Sequence, residues 1–307
     1  MSELVLADKV GRWYGQVVGL SELSLSIERG ITGLVGPNGA GKSTFLKLVA
    51  GEIKPSRGSI RVLGYTPFAN REFFRRVGFC PQQEALYDDM TGLQLVTFLM
   101  RLHGYGAGEA RRRASVALDR VGLKDARTRR VGGYSKGMRQ RTKLAQAIAH
   151  EPELLVADEP LSGLDPVGRA EMQELFVELG KNGVDLLVSS HVLHEVELMT
   201  PNIVLFHRGR LLAQGTVTEV RKLLSRHPRR VEIRAREPRR LAQALLGLGD
   251  VSSVKIAPEN GRIAIETHDV ERFFAELTEL AARERAGITS LESHDASLEA
   301  VFDYLVG

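Results

Sequence analysis

Gly36-Pro37-Asn38-Gly39-Ala40-Gly41-Lys42-Ser43-Thr44 follows directly on the apolar stretch Ile31 to Val35 and precedes a second apolar pattern, Phe45, Leu46, Leu48 and Val49. The run is a complete G-x-x-x-x-G-K-[ST] phosphate-binding loop, set between a strand and a helix as its chemistry requires. Triphosphate oxygens need many donors converging at short range, so successive backbone N–H groups turn inward around an anion. Glycine reaches the dihedrals of such a turn without a Cβ clash, which accounts for Gly36, Gly39 and Gly41. Lys42 is then placed to reach the β- and γ-phosphates, and the Ser43 hydroxyl suits a Mg²⁺ ligand. The helix starting near Ser43 aims its positive end at the anion. The stretch predicts nucleotide binding.

Working outward, Leu154-Leu155-Val156-Ala157-Asp158-Glu159 is an apolar run ending in two acids. It reads as a buried parallel strand with carboxylates at its C-terminal edge, where open α/β sheets bind their ligands. Asp158 is expected to hold Mg²⁺ through water, and Glu159 to polarise a water attacking the γ-phosphate. A second apolar strand, Val184 to Ser190, ends at His191, which is expected at the same sheet edge and there to contact the γ-phosphate and the attacking water; His194, on the following helix, is the alternative. Tyr134-Ser135-Lys136-Gly137-Met138-Arg139-Gln140 opens an amphipathic helix through Leu144, Ala147 and Ile148. Ser135 is a good N-cap, Gly137 admits a ligand to the backbone, and together they read either as a second anion site or as a helix cap.

Composition bounds the rest. With 307 residues the chain accommodates a nucleotide-binding domain plus something smaller. Hydrophobic content of 43% and charged content of 26% are those of a globular protein. No apolar stretch approaches the roughly 18–20 residues that span a bilayer. Met1 to Val10 carries charges where a signal peptide needs its apolar core. The single cysteine, Cys80, reads as a buried small side chain. These features predict the reducing, cytoplasmic side. The net charge of +4 is unevenly spread, with clusters at Arg71/Arg75/Arg76, Arg111 to Arg113, Arg127/Arg129/Arg130 and from Arg221 to Arg240. They read as solvated helix faces and a linker, or as contacts to anionic lipid or nucleic acid. Few aromatics interleave with them, which argues against single-stranded nucleic acid.

In this order the motifs resemble the ATP-binding cassette (ABC) family, and within it the ATPase subunits of bacterial drug, antibiotic and lipid exporters. The resemblance runs from about Leu4 to Leu224 and rests on Gly36–Thr44, Cys80-Pro81-Gln82, Tyr134–Gln140, Ala157-Asp158-Glu159-Pro160, Ser162-Gly163-Leu164-Asp165-Pro166 and Ser189-Ser190-His191. It implies that Tyr14 stacks on adenine, with Trp13 as the alternative, and that Gln82 senses Mg²⁺ and the γ-phosphate. It implies that Ser135 and Gly137 contact ATP bound to an opposite subunit, and that Asp165 links the two sites. The family's commonest signature, Leu-Ser-Gly-Gly-Gln, is altered here by Tyr134, Lys136 and Met138, a variant that resembles the exporter groups. The resemblance further implies two chains head to tail with ATP sandwiched between them; every half-site element is intact here, which favours two identical chains, with pairing to a related ATPase as the alternative. It also implies a separate polytopic membrane subunit, placement at the cytoplasmic face of the membrane, and no nucleic-acid partner. A soluble ATPase of this family acting on nucleic acid or ribosomes is the competing reading, and a non-hydrolysing nucleotide sensor is a third.

The expected fold is α/β: an ABC-type phosphate-loop core with an antiparallel subdomain over residues 1–80 and a helical insertion at about 84–150. Residues 1–224 form the nucleotide-binding domain, 225–230 a linker, and 231–307 a small α+β domain. Within the last, Val231-Glu232-Ile233, Val251–Ala257, Arg262–Thr267 and Ile288–Glu292 read as strands, with a hairpin turn at Pro258-Glu259-Asn260-Gly261. Leu241–Leu248 and the stripe Val270, Phe273, Phe274, Leu277, Leu280 read as helices, as does a closing stripe Leu298, Val301, Phe302, Leu305. The resulting βαββαβα order suggests a ferredoxin-like domain.

Overall fold

The order of buried and exposed side chains explains the elements one by one. The computed structural model describes residues 3–83, 86–224, 229–257, 261–267, 270–284 and 286–293, and the chain forms two compact units, Met1–Val217 and Thr218–Gly307. In the first unit the chain runs through strands β1 (Glu3–Tyr14), β2 (Val17–Glu28) and β3 (Ile31–Val35), helix α1 (Lys42–Val49), β4 (Arg57–Val62), α2 (Arg71–Phe74) and β5 (Val77–Cys80). Three helices follow, α3 (Gly92–Leu102), α4 (Ala107–Arg120) and α5 (Lys136–Ile148), then β6 (Leu154–Ala157), α6 (Pro166–Lys181), β7 (Asp185–Ser190), α7 (Leu193–Glu197), β8 (Asn202–His207) and β9 (Arg210–Thr216).

A six-stranded sheet in the order β5-β6-β7-β3-β8-β9 carries the unit, parallel except for β9. Every residue of β6 and β7 is buried, as expected of parallel strands covered on both faces. A three-stranded antiparallel sheet, β2-β1-β4, lies beside it. Its inward residues Leu4, Val10, Leu20 and Ile27 share one core with Phe45, Leu46, Val49 and Phe206. A second core joins α3, α4 and α5 to β5 and β6; Ala110, Ala114 and Ala117 bring α4 close to its neighbours.

Helix starts follow the local chemistry. Thr91 and Gln94 close a reciprocal capping box on α3. Ser135 accepts the Met138 N–H at the start of α5. Asp165 accepts the Gly168 N–H at 2.7 Å at the start of α6, where Pro166 occupies the first turn. Two boundaries fall where the sequence reading expects them, to within a residue. Helix α1 begins at Lys42, because Gly41 is its cap at φ 103°. Strand β6 ends at Ala157, with the Asp158 N–H still donating to the Cys80 carbonyl at 2.9 Å, so the two acids stand at its C-terminal end.

Helix α8 (Val217–Leu224) starts on the last residue of the first unit, and the second unit continues with β10 (Arg229–Ala235), α9 (Pro238–Leu245), β11 (Val251–Ala257), β12 (Arg262–Thr267), α10 (Val270–Glu284) and β13 (Ile288–Ser293). Its sheet is antiparallel, in the order β11-β12-β10-β13. Counted from β10 this is 2-3-1-4, the ferredoxin-like arrangement. Val231, Ile233, Ile263 and Ile265 pack against Leu241, Leu245, Phe273, Leu277 and Leu280. The closing stripe from Leu298 to Leu305, the turn residues 258–260 and the linker residues 225–228 lie outside the described residues.

Candidate functional site

Four parallel strands, β5, β6, β7 and β3, end at one edge of the sheet, and each releases chemistry-bearing residues there. Strand β3 leads into the loop 36–41. A Cβ on Gly36 would stand 2.4 Å from the Phe206 carbonyl, so no side chain fits where the loop leaves the sheet. The loop closes onto α1, whose first residue folds back. The Lys42 ammonium, 5% exposed, donates to the carbonyls of Gly36 at 2.5 Å and Pro37 at 3.2 Å. It also faces the Glu159 carboxylate at 3.4 Å.

Glu159 is held in the left-handed region, at φ 49°. A side chain there is strained by about 1–2 kcal/mol, and the surroundings over-determine it. Its N–H donates to Ser189 Oγ at 2.8 Å, and that hydroxyl donates in turn to Asp158 Oδ1 at 2.7 Å. The other side of Glu159, Oε2, lies 2.9 Å from His191 Nδ1. Asp158, Glu159 and Ser189 are all buried, whereas the His191 side chain is half exposed. His194 is solvent-facing, 4.0 Å from Glu197.

A cleft of about 440 Å³ is lined by Tyr14, Val17, Val18, Gly19, the residues from Pro37 to Thr44, Gln82 and Glu159. The structure thus gathers Tyr14, Pro37, Asn38, Gly39, Ala40, Gly41, Lys42, Ser43, Thr44, Gln82 and Glu159 around one space. Gly36 joins through its carbonyl, Asp158 through Ser189 and His191 through Glu159. Of the two aromatics, Trp13 folds over Gly11, while Tyr14 faces the cleft with the Arg12 guanidinium 4.9 Å from its ring centroid. Ser135, Gly137 and Asp165 do not line this cleft; they sit at the starts of α5 and α6. The Lys136 stem lies over Gly163, whose φ of 78° and lack of Cβ leave room for it.

The Ser43 hydroxyl, the Gln82 amide and the Asp158 carboxylate are oxygen donors of the kind a hard divalent cation takes. Among the described residues no group of three or more His, Cys, Asp and Glu side chains gathers into a cage. Mg²⁺ needs none, because it binds through one or two protein groups together with substrate phosphates.

Two polar side chains of the site carried no role in the sequence reading. Ser189 interrupts an apolar strand, and Lys143 falls on the buried face of α5, where its ammonium donates to the carbonyls of Pro81 at 2.9 Å and Gln82 at 3.0 Å. In both cases the signal was a polar residue at a core position. Cys80 is buried near Lys143, and burial pushes its thiol up to about 12.

A separate cleft of about 500 Å³ between α2, β5, α3 and α5 has a mixed lining, with Phe74, Phe79 and Leu99 beside His103, Gln146 and His150. His103 and His150 stack there at 4.4 Å between ring centroids. His150 Nε2 donates to the Val77 carbonyl at 3.2 Å, which leaves Nδ1 as the bare acceptor of the neutral ring. Burial, then the neighbouring His103, lowers its pKa to about 4. No helix of the described residues is long and apolar enough to cross a membrane.

Comparison with known proteins matches this geometry to a family. The family described as ABC transporter matches residues 20–162. The uncharacterized ABC transporter ATP-binding protein sll0415 of Synechocystis is 39% identical over 216 residues; the match covers 69% of this chain and 61% of that relative, less than two thirds of its length. The bacitracin transport ATP-binding protein BcrA of Enterococcus faecalis is 30% identical over 310 residues, covering 100% of this chain and 97% of the relative. A solved ATP-binding subunit of an ABC transporter superposes with a TM-score of 0.65 at 29% identity, covering 72% of this chain and 93% of that one. By its phosphate loop, its sheet-edge acids and these relatives, the chain belongs to the ABC transporter family, among its ATP-binding proteins.

Proposed function

We propose that the chain is the ATP-hydrolysing subunit of an exporter, working on a separate polytopic membrane subunit at the cytoplasmic face of the membrane. The observation that carries the proposal is the single cleft shared by Tyr14, the phosphate loop, Gln82 and Glu159, with Glu159 buried between Lys42 and His191. Adenine stacks on Tyr14. The loop N–H groups from Gly36 to Thr44 and the Lys42 ammonium take the triphosphate. Glu159 accepts a proton from water as the water oxygen bonds to the γ-phosphorus and the bond to the β–γ bridging oxygen breaks, giving ADP and phosphate. His191 orients the Glu159 carboxylate. Ser43, Gln82 and Asp158 would hold Mg²⁺, which would supply charge neutralisation for the phosphates.

Ser135, Gly137 and Asp165 lie apart from this cleft, which supports their use in trans. Two identical chains face head to tail, each completing the other's site, a closed two-fold arrangement. Loss of the γ-phosphate opens the pair, and the helices α3–α5, which follow Gln82 in the chain, pass that opening to the membrane subunit. In this reading residues 1–224 are the nucleotide-binding domain, 225–230 a linker and 231–307 an accessory domain. The relative named for bacitracin transport supports an antibiotic or similar amphiphile as cargo.

The test is affinity purification of tagged Glu159→Gln protein from its native host in mild detergent with ATP and Mg²⁺. A stoichiometric polytopic membrane protein is the expected companion. Recovery of ribosomes or nucleic acid instead overturns the exporter reading and leaves only the ATP site.

A further inference from the structure

Lys143 lies in the third turn of α5, about 12 Å along the axis from the helix cap Ser135. Its side chain is 1% exposed and ranks among the largest fully buried ones in the chain. A buried ammonium is expensive to desolvate, so it persists only where its N–H groups meet acceptors. The acceptors here are the carbonyls of Pro81 and Gln82, at 2.9 and 3.0 Å. Parallel pairing of β5 with β6 stops at Cys80, so these carbonyls lie past the strand ladder, where the backbone leaves the sheet. Neighbouring α5 residues Leu144 and Ala147 already attach the helix to the core by apolar contact. Lys143 adds what they do not supply: a directional grip on the two residues that deliver the Gln82 side chain to the cleft. Lys143 and Asp158 both lie close enough to Cys80 to act on its thiol, so the lysine also stands near the acid of the same sheet edge.

We infer that Lys143 is a positioning residue, which fixes the backbone at Pro81-Gln82 so that Gln82 faces the cleft and ties that glutamine to the helix carrying Ser135. Through it, a shift of α5 along or about its axis moves the Gln82 carbonyl directly. The helix end offered to one nucleotide and the glutamine beside another are thereby linked by one buried side chain. The inference rests on the proposal that Gln82 serves the Mg²⁺-bound nucleotide.

The experiment is a double-mutant cycle on the full chain with Lys143→Met, Gln82→Ala and the combination. Methionine keeps the length and volume of the stem and removes the donors. Phosphate release is titrated with Mg²⁺ at saturating ATP, ATP affinity is measured without Mg²⁺, and each variant is melted. Gln82→Ala is expected to raise the Mg²⁺ concentration for half-maximal rate by about tenfold, the usual effect of disturbing a metal's surroundings. Lys143→Met is expected to do the same, with Mg²⁺-free ATP affinity unchanged, and the double variant to match Gln82→Ala alone. A merely structural lysine gives a lower melting temperature and effects that multiply in the double variant, and that result overturns the inference, as does a normal Mg²⁺ profile in Lys143→Met. If Gln82→Ala itself behaves as wild type, the Gln82 assignment falls and takes this inference with it. Should Lys143→Met fail to fold, Lys143→Gln, a neutral donor, replaces it in the cycle; if neither folds, the lysine is structural and the inference is wrong.

Discussion

The Lys42 ammonium and the Glu159 carboxylate face each other across 3.4 Å, both nearly inaccessible to water. Removing one member of such a pair leaves the other charge buried, a destabilisation of about 3 kcal/mol. Lys42→Ala is therefore expected to lower the unfolding free energy as well as ATP affinity. The affinity loss should be about ten- to hundredfold, as for one charge-assisted partner. Calorimetric titration measures the second effect, and an unchanged dissociation constant would contradict the phosphate-loop assignment.

Glu159→Gln separates chemistry from structure. The amide has nearly the shape of the carboxylate; its oxygen can accept from Lys42 and its nitrogen can donate to His191. Turnover should fall about 10²- to 10⁴-fold for want of a proton acceptor. ATP should still bind, and gel filtration with ATP should show a dimer that persists. Wild-type phosphate release by this variant rules out Glu159 as the base.

Ser189→Ala removes one hydroxyl with two duties, accepting from the Glu159 N–H and donating to Asp158. Orphaning a buried amide destabilises by about 1–3 kcal/mol, and here it also frees a backbone held in a left-handed conformation. The expected signature is a lower midpoint in denaturant and a reduced kcat, with ATP affinity retained. Equal kcat in the variant and the wild type would show that Glu159 does not need this brace.

What could be read in the sequence was what is local. The glycine spacing of Gly36–Thr44 and the apolar run ending in Asp158-Glu159 carry their meaning within a few residues. The alternation in Val251–Ala257 and Arg262–Thr267 likewise announced a hairpin in the second unit. The choice between Trp13 and Tyr14 was not local. Adjacent residues of a strand point to opposite faces, and which face meets the cleft depends on the packing of β1 beside the phosphate loop. His191 and His194 posed the same problem, decided by where β7 ends relative to Glu159. Ser189 and Lys143 stayed hidden because their partners, Asp158, Pro81 and Gln82, belong to other elements, and pairing across strands leaves no trace in one element's pattern.

His150 predicts an acid-sensitive fold. Its folded pKa of about 4 lies below the ordinary value of 6.5, so between those values the unfolded chain binds the extra proton. Stability from the neutral ring is complete above pH 6.5 and is lost as pH falls toward 4, by on the order of 3 kcal/mol. His103 and Arg113 face the ring and oppose a second positive charge. In His150→Gln, whose amide keeps a donor toward Val77, chemical denaturation at pH 7 and pH 4.5 should differ less than in wild type. An identical pH dependence would remove His150 as the sensor.

Cys80 provides a simple test of the interior of the first unit. With the thiol buried and its pKa pushed up to about 12, a disulfide reagent at pH 8 should find no reactive group in folded protein. It should find one per chain in strong denaturant. Rapid labelling of the native form would mean that the sheet edge beside Asp158 opens readily.

The sheet order has a consequence for how the protein is made. Strand β3, from which the phosphate loop springs, is flanked by β7 and β8, whose paired residues follow its own by 155 (Ile31 with Leu186) and 170 (Gly33 with Ile203) positions in synthesis. At roughly 5–20 residues per second, the loop waits about 10–30 s for the strands that hold it in place. Until then the nascent chain offers a glycine-rich loop without a frame, while the antiparallel strands β1, β2 and β4 are all made and can pair with one another. The nucleotide site therefore forms late in synthesis although its first residues are made early, and a chain released before residue 207 has the motif but not the pocket.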